Sequence, residues 1–196
     1  MYLLIETVRL ENNQLKNVEF HNERMNRSRF ELFGTKEKID IGQILFIKHK
    51  YQEIQRVRIT YNEKIQNIEI IPYKRRYIKS FKIVVDDTIN YNYKYADRSV
   101  FAKYLTEIDV EIIIIKNGFV TDTSFSNLVF HDKQQWITPA LPLLKGTMRE
   151  FLIKNGLIIE RDITFNEIRN FDKFRLINAF NGFENPFEFD ISAIEI

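Results

Sequence analysis

An Asn-Gly pair between two long apolar runs constrains the fold of this chain more than any other feature. Asn117-Gly118 separates the run at residues 110–115 from the run at residues 119–130. Such a pair readily adopts the left-handed backbone of a tight hairpin turn, so the flanking runs are predicted to be antiparallel strands. Uninterrupted apolar segments such as residues 112–115 are far too short to span a bilayer, and we expect no membrane segment.

Strand and helix patterns alternate along the rest of the chain, which predicts a mixed α+β fold. Further strands are predicted at residues 3–10, 56–61, 66–71, 81–85, 136–138 and 174–180, with 187–196 as another candidate. Helices are predicted at residues 21–33, 40–51, 99–108 and 147–154, and a capping box at Thr164-Phe165-Asn166-Glu167 predicts one more short helix. In the helix at 99–108, the residues expected to face inward are Phe101, Tyr104, Leu105 and Ile108.

A polar break at residues 86–90 separates two patterned halves of the chain. We therefore expect a small N-terminal α+β subdomain at residues 1–88 and a β-rich C-terminal subdomain at residues 89–196, which together form one continuous unit.

Composition excludes several classes of function. A net charge of +2 is too small for a nucleic-acid-binding protein, and the densest basic cluster, Lys74-Arg75-Arg76 with Lys79, is better explained as a solvated hairpin turn. The chain contains no cysteine, which excludes disulfides, thiolate metal sites and a cysteine nucleophile. The first residues lack the basic and apolar regions of a signal peptide, so we expect a cytoplasmic protein.

Four segments carry side chains suited to chemistry, and each alone has an ordinary structural explanation. They are Phe20-His21-Asn22-Glu23-Arg24-Met25, Lys94-Tyr95-Ala96-Asp97-Arg98, the segment from Asn117 to Asn127, and Thr138-Pro139 with Lys145-Gly146-Thr147-Met148-Arg149. A single lysine or arginine is usually solvated. Gly146-Thr147 at a helix start is an ordinary cap without the spacing of a nucleotide P-loop.

In their order along the chain, the segments resemble the class IV aminotransferase family, fold-type-IV enzymes that bind pyridoxal 5′-phosphate (PLP). The family's Glu-Thr-Ile/Val-Arg strand and His-x-x-Arg-Leu/Met motif match Glu6-Thr7-Val8-Arg9 and His21-Asn22-Glu23-Arg24-Met25. Its Gly-x-x-Thr-Glu-x-x-x-x-Asn segment matches Gly118 to Asn127, with Asp122 in the place of the glutamate. The order Thr-Pro then Gly-x-x-Arg also matches, so the resemblance extends from about residue 3 to residue 180.

The resemblance implies two α/β subdomains with the cofactor between them. It makes Lys94 the residue that binds PLP covalently and later moves the proton, and Asp122 the partner of the pyridine nitrogen. The other cofactor-binding residues that it implies are Arg24, Ser99, Ser126, Asn127, Gly146, Thr147, Met148, Asn178 and Ala179. Of these, the amides of Thr147 and Met148 would bind the phosphate at a helix N-terminus, and no metal site is implied.

Within the family, two local choices are similar to 4-amino-4-deoxychorismate lyase. Gly146-Thr147-Met148-Arg149 is closer to the Gly-Ile-Met-Arg of the lyases than to the Gly-Ile/Val-Thr-Arg of branched-chain enzymes, and Asn178-Ala179-Phe180 resembles their Asn-Ala-Leu/Met. Such an enzyme eliminates pyruvate from a small-molecule amino substrate and yields 4-aminobenzoate for folate biosynthesis. The family also implies a homodimer. Its members normally carry an N-terminal segment before the first strand, whereas this sequence starts almost at that strand. Part of the substrate cavity is therefore expected to differ from that of the family.

Three alternatives stay open at this stage. One is an aminotransferase of the branched-chain or D-amino acid type, because transamination and elimination share their early steps and differ only in what leaves. Another is a catalytically silent relative that still binds PLP. The third is a non-enzymatic module that uses the cluster at residues 74–79 on an anionic partner.

Overall fold

The computed structural model describes residues 2–45, 47 and 50–195. The chain divides into two compact units: unit 1 contains the chain up to Arg75 together with Tyr93–Asp97, and unit 2 contains Arg76–Asn92 and the chain from Arg98 onward. The predicted boundary between residues 88 and 89 therefore lies within unit 2. In these described ranges, no helix has the length and the apolar character needed to cross a membrane.

Unit 1 is built on an antiparallel sheet that has four strands in the described part of the chain. The strands are β1 (Leu4–Glu11), β2 (Gln14–Leu15), β3 (Gln55–Tyr61) and β4 (Ile65–Pro72), in the spatial order β2-β1-β3-β4. Two helices, α1 (Val18–Phe33) and α2 (Ile41–Ile44), lie in the connection from β2 to β3.

One face of β1 supplies much of the core of unit 1. From Glu6 onward alternate residues of β1 are buried, as the two-residue period of a strand requires. Val8 and Leu10 on this face form one cluster with Met25 of α1. Glu6 shares their face, so its carboxylate lies on the core side of the strand and needs compensating partners.

The helix predicted at residues 21–33 is confirmed as α1, which begins three residues earlier. Gly34 ends it in the left-handed region at φ 70°, where its amide donates to the carbonyls of Arg29 and Phe30. His21 and Arg24 are three residues apart and therefore lie on the same face of α1, where both are buried.

The helix predicted over residues 40–51 is wrong beyond its first turn. Asp40 caps α2, because its side chain accepts from the Gly42 amide at 2.8 Å, but Leu45 is already extended. Leu45 and Ile47 still pack against the core of unit 1. Their apolar side chains therefore reach the core from an irregular segment, although their spacing suggested a helix. Residues 46, 48 and 49 of the predicted helix lie outside the described residues.

Unit 2 contains a mixed sheet of nine strands, counted over its described residues. They are β5 (Ser80–Val85), β6 (Val110–Lys116), β7 (Phe119–Thr123), β8 (Asn127–His131), β9 (Trp136–Pro139), β10 (Ile159–Arg161), β11 (Lys173–Ile177), β12 (Glu188–Asp190) and β13 (Ile194–Glu195). The order is β10-β9-β8-β7-β6-β5-β13, and β11 pairs with β8 and β12. Unit 2 also contains α3 (Ser99–Ala102), α4 (Thr147–Lys154) and 3₁₀ turns at Phe165–Asn170 and Ile191–Ala193.

The Asn-Gly hairpin is confirmed between β6 and β7. Asn117 and Gly118 have φ of 51° and 81°, the left-handed values that a tight hairpin turn needs. Both strands are almost fully buried, and the Thr121 hydroxyl donates a hydrogen bond to the Ile114 carbonyl at 2.9 Å. This hydrogen bond satisfies the hydroxyl of a buried polar residue on β7.

Two predicted elements of unit 2 need correction. The run at residues 119–130 is divided between β7 and β8, because the Thr123 hydroxyl accepts from the Ser126 amide and closes a tight turn. The helix predicted at 99–108 ends at Ala102. Phe101 is buried as expected, but Ile108 is 90% exposed, so its periodic spacing does not mark a core position.

The later elements agree well with their predictions. The helix at 147–154 has its predicted bounds as α4, and the capping box of Thr164 and Glu167 forms, although on a 3₁₀ turn. The strand predicted at 174–180 is confirmed as β11 up to Ile177, whereas residues 178–180 form a turn. The described part of 187–196 contains two short strands around a 3₁₀ turn. The predicted mixed α+β fold is confirmed.

Candidate active site

Backbone pairing fastens Lys94 to the first strand of unit 1. The Ile5 amide donates to the Lys94 carbonyl at 2.9 Å, and the Ala96 amide donates to the Leu3 carbonyl at 2.8 Å. The half-buried Lys94 thus lies on a short segment aligned antiparallel to β1. This pairing fixes the position of the Lys94 backbone relative to Glu6, one residue beyond Ile5.

Glu6, His21 and Arg24 form a buried polar cluster in unit 1. Arg24 donates to both carboxylate oxygens of Glu6, from Nε at 2.9 Å and from Nη2 at 2.6 Å. Nδ1 of His21 lies 2.6 Å from Oε2 of Glu6. Because an ionised carboxylate only accepts, the neutral imidazole carries its proton on Nδ1.

The electrostatics of this cluster favour a charged Glu6 and a neutral His21. Burial alone would raise the pKa of Glu6, but the Arg24 guanidinium and the hydrogen bond from His21 hold it well below its ordinary value. Burial lowers the pKa of His21, and the positive charges of Arg24 and Lys94 add to that effect against the opposing influence of Glu6. The Lys94 side chain is therefore within electrostatic range of the cluster.

Asp122 is the main titratable group among the predicted site residues of unit 2. It lies on β7 directly opposite Asn127, the first residue of β8. Its Oδ1 accepts from Asn127 Nδ2 at 2.7 Å, and its Oδ2 accepts from the Leu144 amide at 2.9 Å. Burial raises the pKa of Asp122 to about 7, although these two hydrogen bonds and Arg149 act in the opposite direction.

Asn127 joins Asp122 to the start of α4. Its Nδ2 also donates to the Leu144 carbonyl at 2.8 Å. A Cβ on Gly146 would lie only 2.0 Å from Asn127 Oδ1, so position 146 has room for glycine alone while Asn127 keeps these bonds. Gly146 is the N-cap of α4 and provides no side-chain cap, which leaves the first turn of the helix suited to an anion.

Arg149 explains why the Thr-Pro and Gly-x-x-Arg motifs occur together. Its guanidinium is fully buried and donates from Nη2 to the Pro139 carbonyl at 3.0 Å and to Glu160 at 2.5 Å. Arg149 therefore anchors α4 to β9 and β10 and fixes the direction of the helix N-terminus.

The turn after β11 lies beside the turn between β7 and β8. Asn178 donates from Nδ2 to the Ser126 hydroxyl at 2.8 Å, and its Oδ1 accepts from the Phe180 amide at 2.9 Å. Ser126 and Asn178 are thus in contact in unit 2, with Ala179 next in sequence, and the cofactor contacts of all three stay predictions. Ser99 lies in the first turn of α3 and is exposed, and its proposed contact with the ring hydroxyl stays a prediction.

Two polar side chains that the sequence analysis did not single out for the site are also buried in unit 2. Among the described residues, Oγ of Ser124 and both polar side-chain atoms of Asn181, Oδ1 and Nδ2, have no hydrogen-bond partner. Buried polar groups are normally satisfied, and these two side chains depart from that rule. A sequence-level signal existed for Ser124, which lies inside the matched Gly118 to Asn127 segment, but not for Asn181.

The residues present fit PLP. Asp122 is a buried carboxyl whose oxygens are oriented by Asn127 and by the Leu144 amide, and a carboxylate there could pair with a protonated pyridine nitrogen. The first turn of α4, which begins at Gly146 without a side-chain cap, suits a phosphate group. A metal is a poorer match, because the described residues contain no group of three or more His, Cys, Asp or Glu side chains arranged to hold one.

Comparison with known proteins identifies the family of the chain. The family model described as "Amino-transferase class IV" matches residues 92–183. An uncharacterised protein of Haemophilus influenzae is 39% identical over 188 residues, which cover 93% of this chain and 100% of that protein. The crystal structure of a "putative 4-amino-4-deoxychorismate lyase" from Haemophilus somnus is 36% identical, covers 93% of this chain and 98% of its own, and superimposes with a TM-score of 0.84.

A more distant structure shares the fold. The PLP-bound form of a hypothetical aminotransferase from Mycobacterium tuberculosis is 14% identical, with a TM-score of 0.74 over 99% of this chain and 81% of that chain. The PLP prediction is supported by this family, whereas the homodimer and the cytoplasmic location stay predictions. On the match to the family model and the close relative that shares its whole length, the chain belongs to the class IV aminotransferase family.

Proposed function

We propose that the protein is a PLP-dependent enzyme that releases pyruvate from 4-amino-4-deoxychorismate and forms 4-aminobenzoate. Family membership supports an enzyme, and the 36% identity to a "putative 4-amino-4-deoxychorismate lyase" over nearly the whole chain supports the lyase reaction. The observation that carries the cofactor assignment is Asp122, a buried carboxyl oriented by Asn127 and by the Leu144 amide.

Lys94 would hold the cofactor through its Nζ atom. Bound PLP supplies an electron-withdrawing ring that stabilises negative charge on the carbon next to the substrate nitrogen. Once displaced by the substrate amine, Lys94 Nζ would take the proton from the substrate carbon that carries the amino group. The charge of Lys94 acts on His21, so the amine is electrostatically coupled to the cluster of Glu6, His21 and Arg24.

Asp122 would keep the pyridine nitrogen protonated. A cation at that position favours the carboxylate form and would lower the pKa of Asp122 from about 7. The hydrogen bonds from Asn127 and Leu144 fix both oxygens, so the shorter side chain in place of the family's glutamate is held rigidly.

The phosphate would bind at the first turn of α4, against the amides of Thr147 and Met148. Arg149 holds this helix in place through its hydrogen bond to the Pro139 carbonyl. Arg24, Asn178 and Ala179 would add contacts to the cofactor, as the family resemblance implies. In the lyase reaction the ring of the substrate becomes aromatic as the pyruvate group leaves, and Lys94 would return a proton to the leaving group.

Turnover of 4-amino-4-deoxychorismate tests the proposal. Wild-type protein with PLP is expected to release pyruvate and 4-aminobenzoate in equal amounts, and Lys94→Ala to lose roughly 10²- to 10⁴-fold in rate. Lys74→Ala, which changes an exposed lysine of the basic cluster, is the matched control and should keep full activity.

Two outcomes would contradict the lyase assignment. Amino transfer from an amino acid to a keto acid without pyruvate release would identify an aminotransferase, and would leave the cofactor assignment intact. PLP binding without any turnover would identify a silent relative.

A further inference from the structure

Glu111 is a buried glutamate on β6 that the proposed reaction does not use. It is 0% exposed, and its Oε1 accepts from the Ser124 amide at 3.1 Å and from the Ile112 amide at 3.0 Å. Its Oε2 accepts from Nη1 of Arg76 at 2.7 Å. These hydrogen bonds offset the cost of burying a carboxylate. Because well-packed apolar residues commonly give equal stability, stability alone does not explain a charge at this position.

Charged side chains hold both backbone groups of Ser124. This residue directly follows β7, at the point where the pairing of β7 with β6 ends. Its amide donates to Glu111, and its carbonyl accepts from Nη2 of Arg98 at 2.6 Å. Hydrogen bonds to charged groups are stronger than those between neutral groups. The peptide groups on either side of Ser124 are therefore fixed by residues outside the turn.

The turn that contains Ser124 connects Asp122 to Asn127. The Thr123 amide donates to the Ser126 carbonyl at 2.9 Å and closes the turn. Asp122 lies directly before it and Asn127 directly after it, and their side chains are bonded at 2.7 Å. A shift of the turn would therefore move these two side chains relative to each other.

Arg76 contacts the same turn in two ways. Its side chain is 41% exposed, whereas that of its partner Glu111 is fully buried. The carbon at the centre of its guanidinium also lies 5.8 Å from the centroid of the Phe125 ring, within the range of a cation–π contact. Arg76 is thus a member of the basic cluster at residues 74–79 that is bound to the protein rather than only solvated.

We propose that Glu111, paired with Arg76, is a positioning residue that fixes the turn between β7 and β8 and thereby orients the Asp122 and Asn127 side chains toward the cofactor ring. This inference deepens the proposed function, because it rests on the PLP binding proposed above. It assigns a role to two residues outside the motifs that carry the family resemblance.

Glu111→Gln tests the inference, because it keeps the shape of the side chain and removes its charge. At a temperature where the variant is fully folded, PLP binding is expected to weaken about 10-fold. In the cofactor-free protein the pKa of Asp122, about 7 in the wild type, should fall toward its ordinary value, because burial raises it and a loosened turn admits water. Arg76→Ala should have the same two effects, and Arg76→Lys should restore most of the wild-type behaviour.

Absorbance titration with PLP and carboxyl NMR of the cofactor-free protein measure the two quantities. Glu107→Gln is the matched control, since Glu107 is an exposed glutamate that pairs with Lys82, and it should change neither. Fully folded Glu111→Gln and Arg76→Ala proteins with wild-type PLP affinity and a wild-type Asp122 pKa would overturn the inference and leave the proposed function intact. Failure of the wild-type protein to bind PLP would overturn the proposed function, and the pKa of Asp122 would still decide whether Glu111 positions that carboxyl.

Discussion

Glu6 occupies a core-facing position on β1 where an unpaired carboxylate could not be tolerated. Arg24 contacts both of its oxygens, and His21 shares one of them. A buried ion pair of this kind contributes less through its own attraction than through the penalty for breaking it, because the surviving charge stays desolvated. The matched Glu-Thr-Val-Arg and His-x-x-Arg segments are therefore parts of one cluster.

Removing the carboxylate should destabilise the protein strongly. Glu6→Ala leaves the Arg24 charge buried without its partner, and we expect a loss of about 3–5 kcal/mol in the free energy of unfolding. Glu69→Ala, on the exposed side of β4, is the control and should cost less than about 0.5 kcal/mol. Urea denaturation measures both, and equal losses in the two variants would show that the cluster is unimportant.

The raised pKa of Asp122 predicts a pH-dependent stability. In the cofactor-free folded protein Asp122 releases its proton near pH 7, compared with 3.8 in an unperturbed aspartate. Between about pH 4 and 7 the folded state therefore holds the extra proton. Its contribution to stability falls as pH rises, by at most about 1.4 kcal/mol per pH unit, and is lost above the folded pKa.

Asp122→Asn removes this titration. The difference in unfolding free energy between wild type and Asp122→Asn is expected to shift against the wild type from pH 5 to pH 8. A difference that stays constant over this range would contradict the buried, proton-binding state of Asp122.

At the residue scale, sequence reasoning found the motif positions but not their partners. Asp122 and Asn127 were recognisable because their spacing matches a family motif. The contact of Asn127 with Leu144 crosses 17 positions of sequence, and no local pattern encodes it. The burial of Asn181 likewise depends on packing against distant chain, which a single sequence does not display.

At the scale of elements, the contact between the start of β8 and the segment before α4 determines the geometry of the predicted site residues in unit 2. Asn127 bonds to Asp122 and to the Leu144 carbonyl, so its side chain has no alternative position that keeps both bonds. Gly146 is required by this close contact rather than by its backbone conformation, because its φ is −76°.

Gly146→Ala tests the close contact. The added Cβ would displace Asn127, and we expect a loss of about 1–3 kcal/mol in unfolding free energy. In an Asn127→Ala background the same substitution should cost much less, since the clash is removed. Additive losses in the double variant would contradict the explanation. Gly42→Ala, where a Cβ would meet only Asp40 at 3.3 Å, is a control.

The short α3 gives a second test at this scale. Phe101→Ala should cost about 3–5 kcal/mol, because Phe101 is buried, whereas Ile108→Asn should cost less than about 0.5 kcal/mol. Thermal and urea unfolding of the two variants distinguish the observed turn from the ten-residue helix that the periodicity predicted. A large loss for Ile108→Asn would favour that longer helix.

Element prediction succeeded where local chemistry decides the structure and failed where packing does. The Asn117-Gly118 turn, the Gly34 end of α1 and the capping box at Thr164 are encoded by conformational preference and short-range hydrogen bonds. Beyond the cap at Asp40, the helices predicted at 40–51 and 99–108 rested on apolar spacing, which irregular chain also satisfies.

At the scale of the whole molecule, the chain enters unit 1 a second time through Tyr93–Asp97 before returning to unit 2. This excursion carries Lys94 and is held by backbone pairing with β1. A sequence boundary at a single position cannot describe such a path. The resemblance to class IV aminotransferases, which depends on the order of motifs along the chain, was nevertheless sufficient to identify the family.

Absorbance of the purified protein with PLP tests the central claim most directly. The account predicts a band at about 410–430 nm, where PLP linked to a lysine absorbs, in wild type and in the exposed-lysine control Lys74→Ala. The band should be absent in Lys94→Ala, although that protein remains folded. A wild-type protein without the band, or a Lys94→Ala protein that keeps it, would contradict the assignment of Lys94.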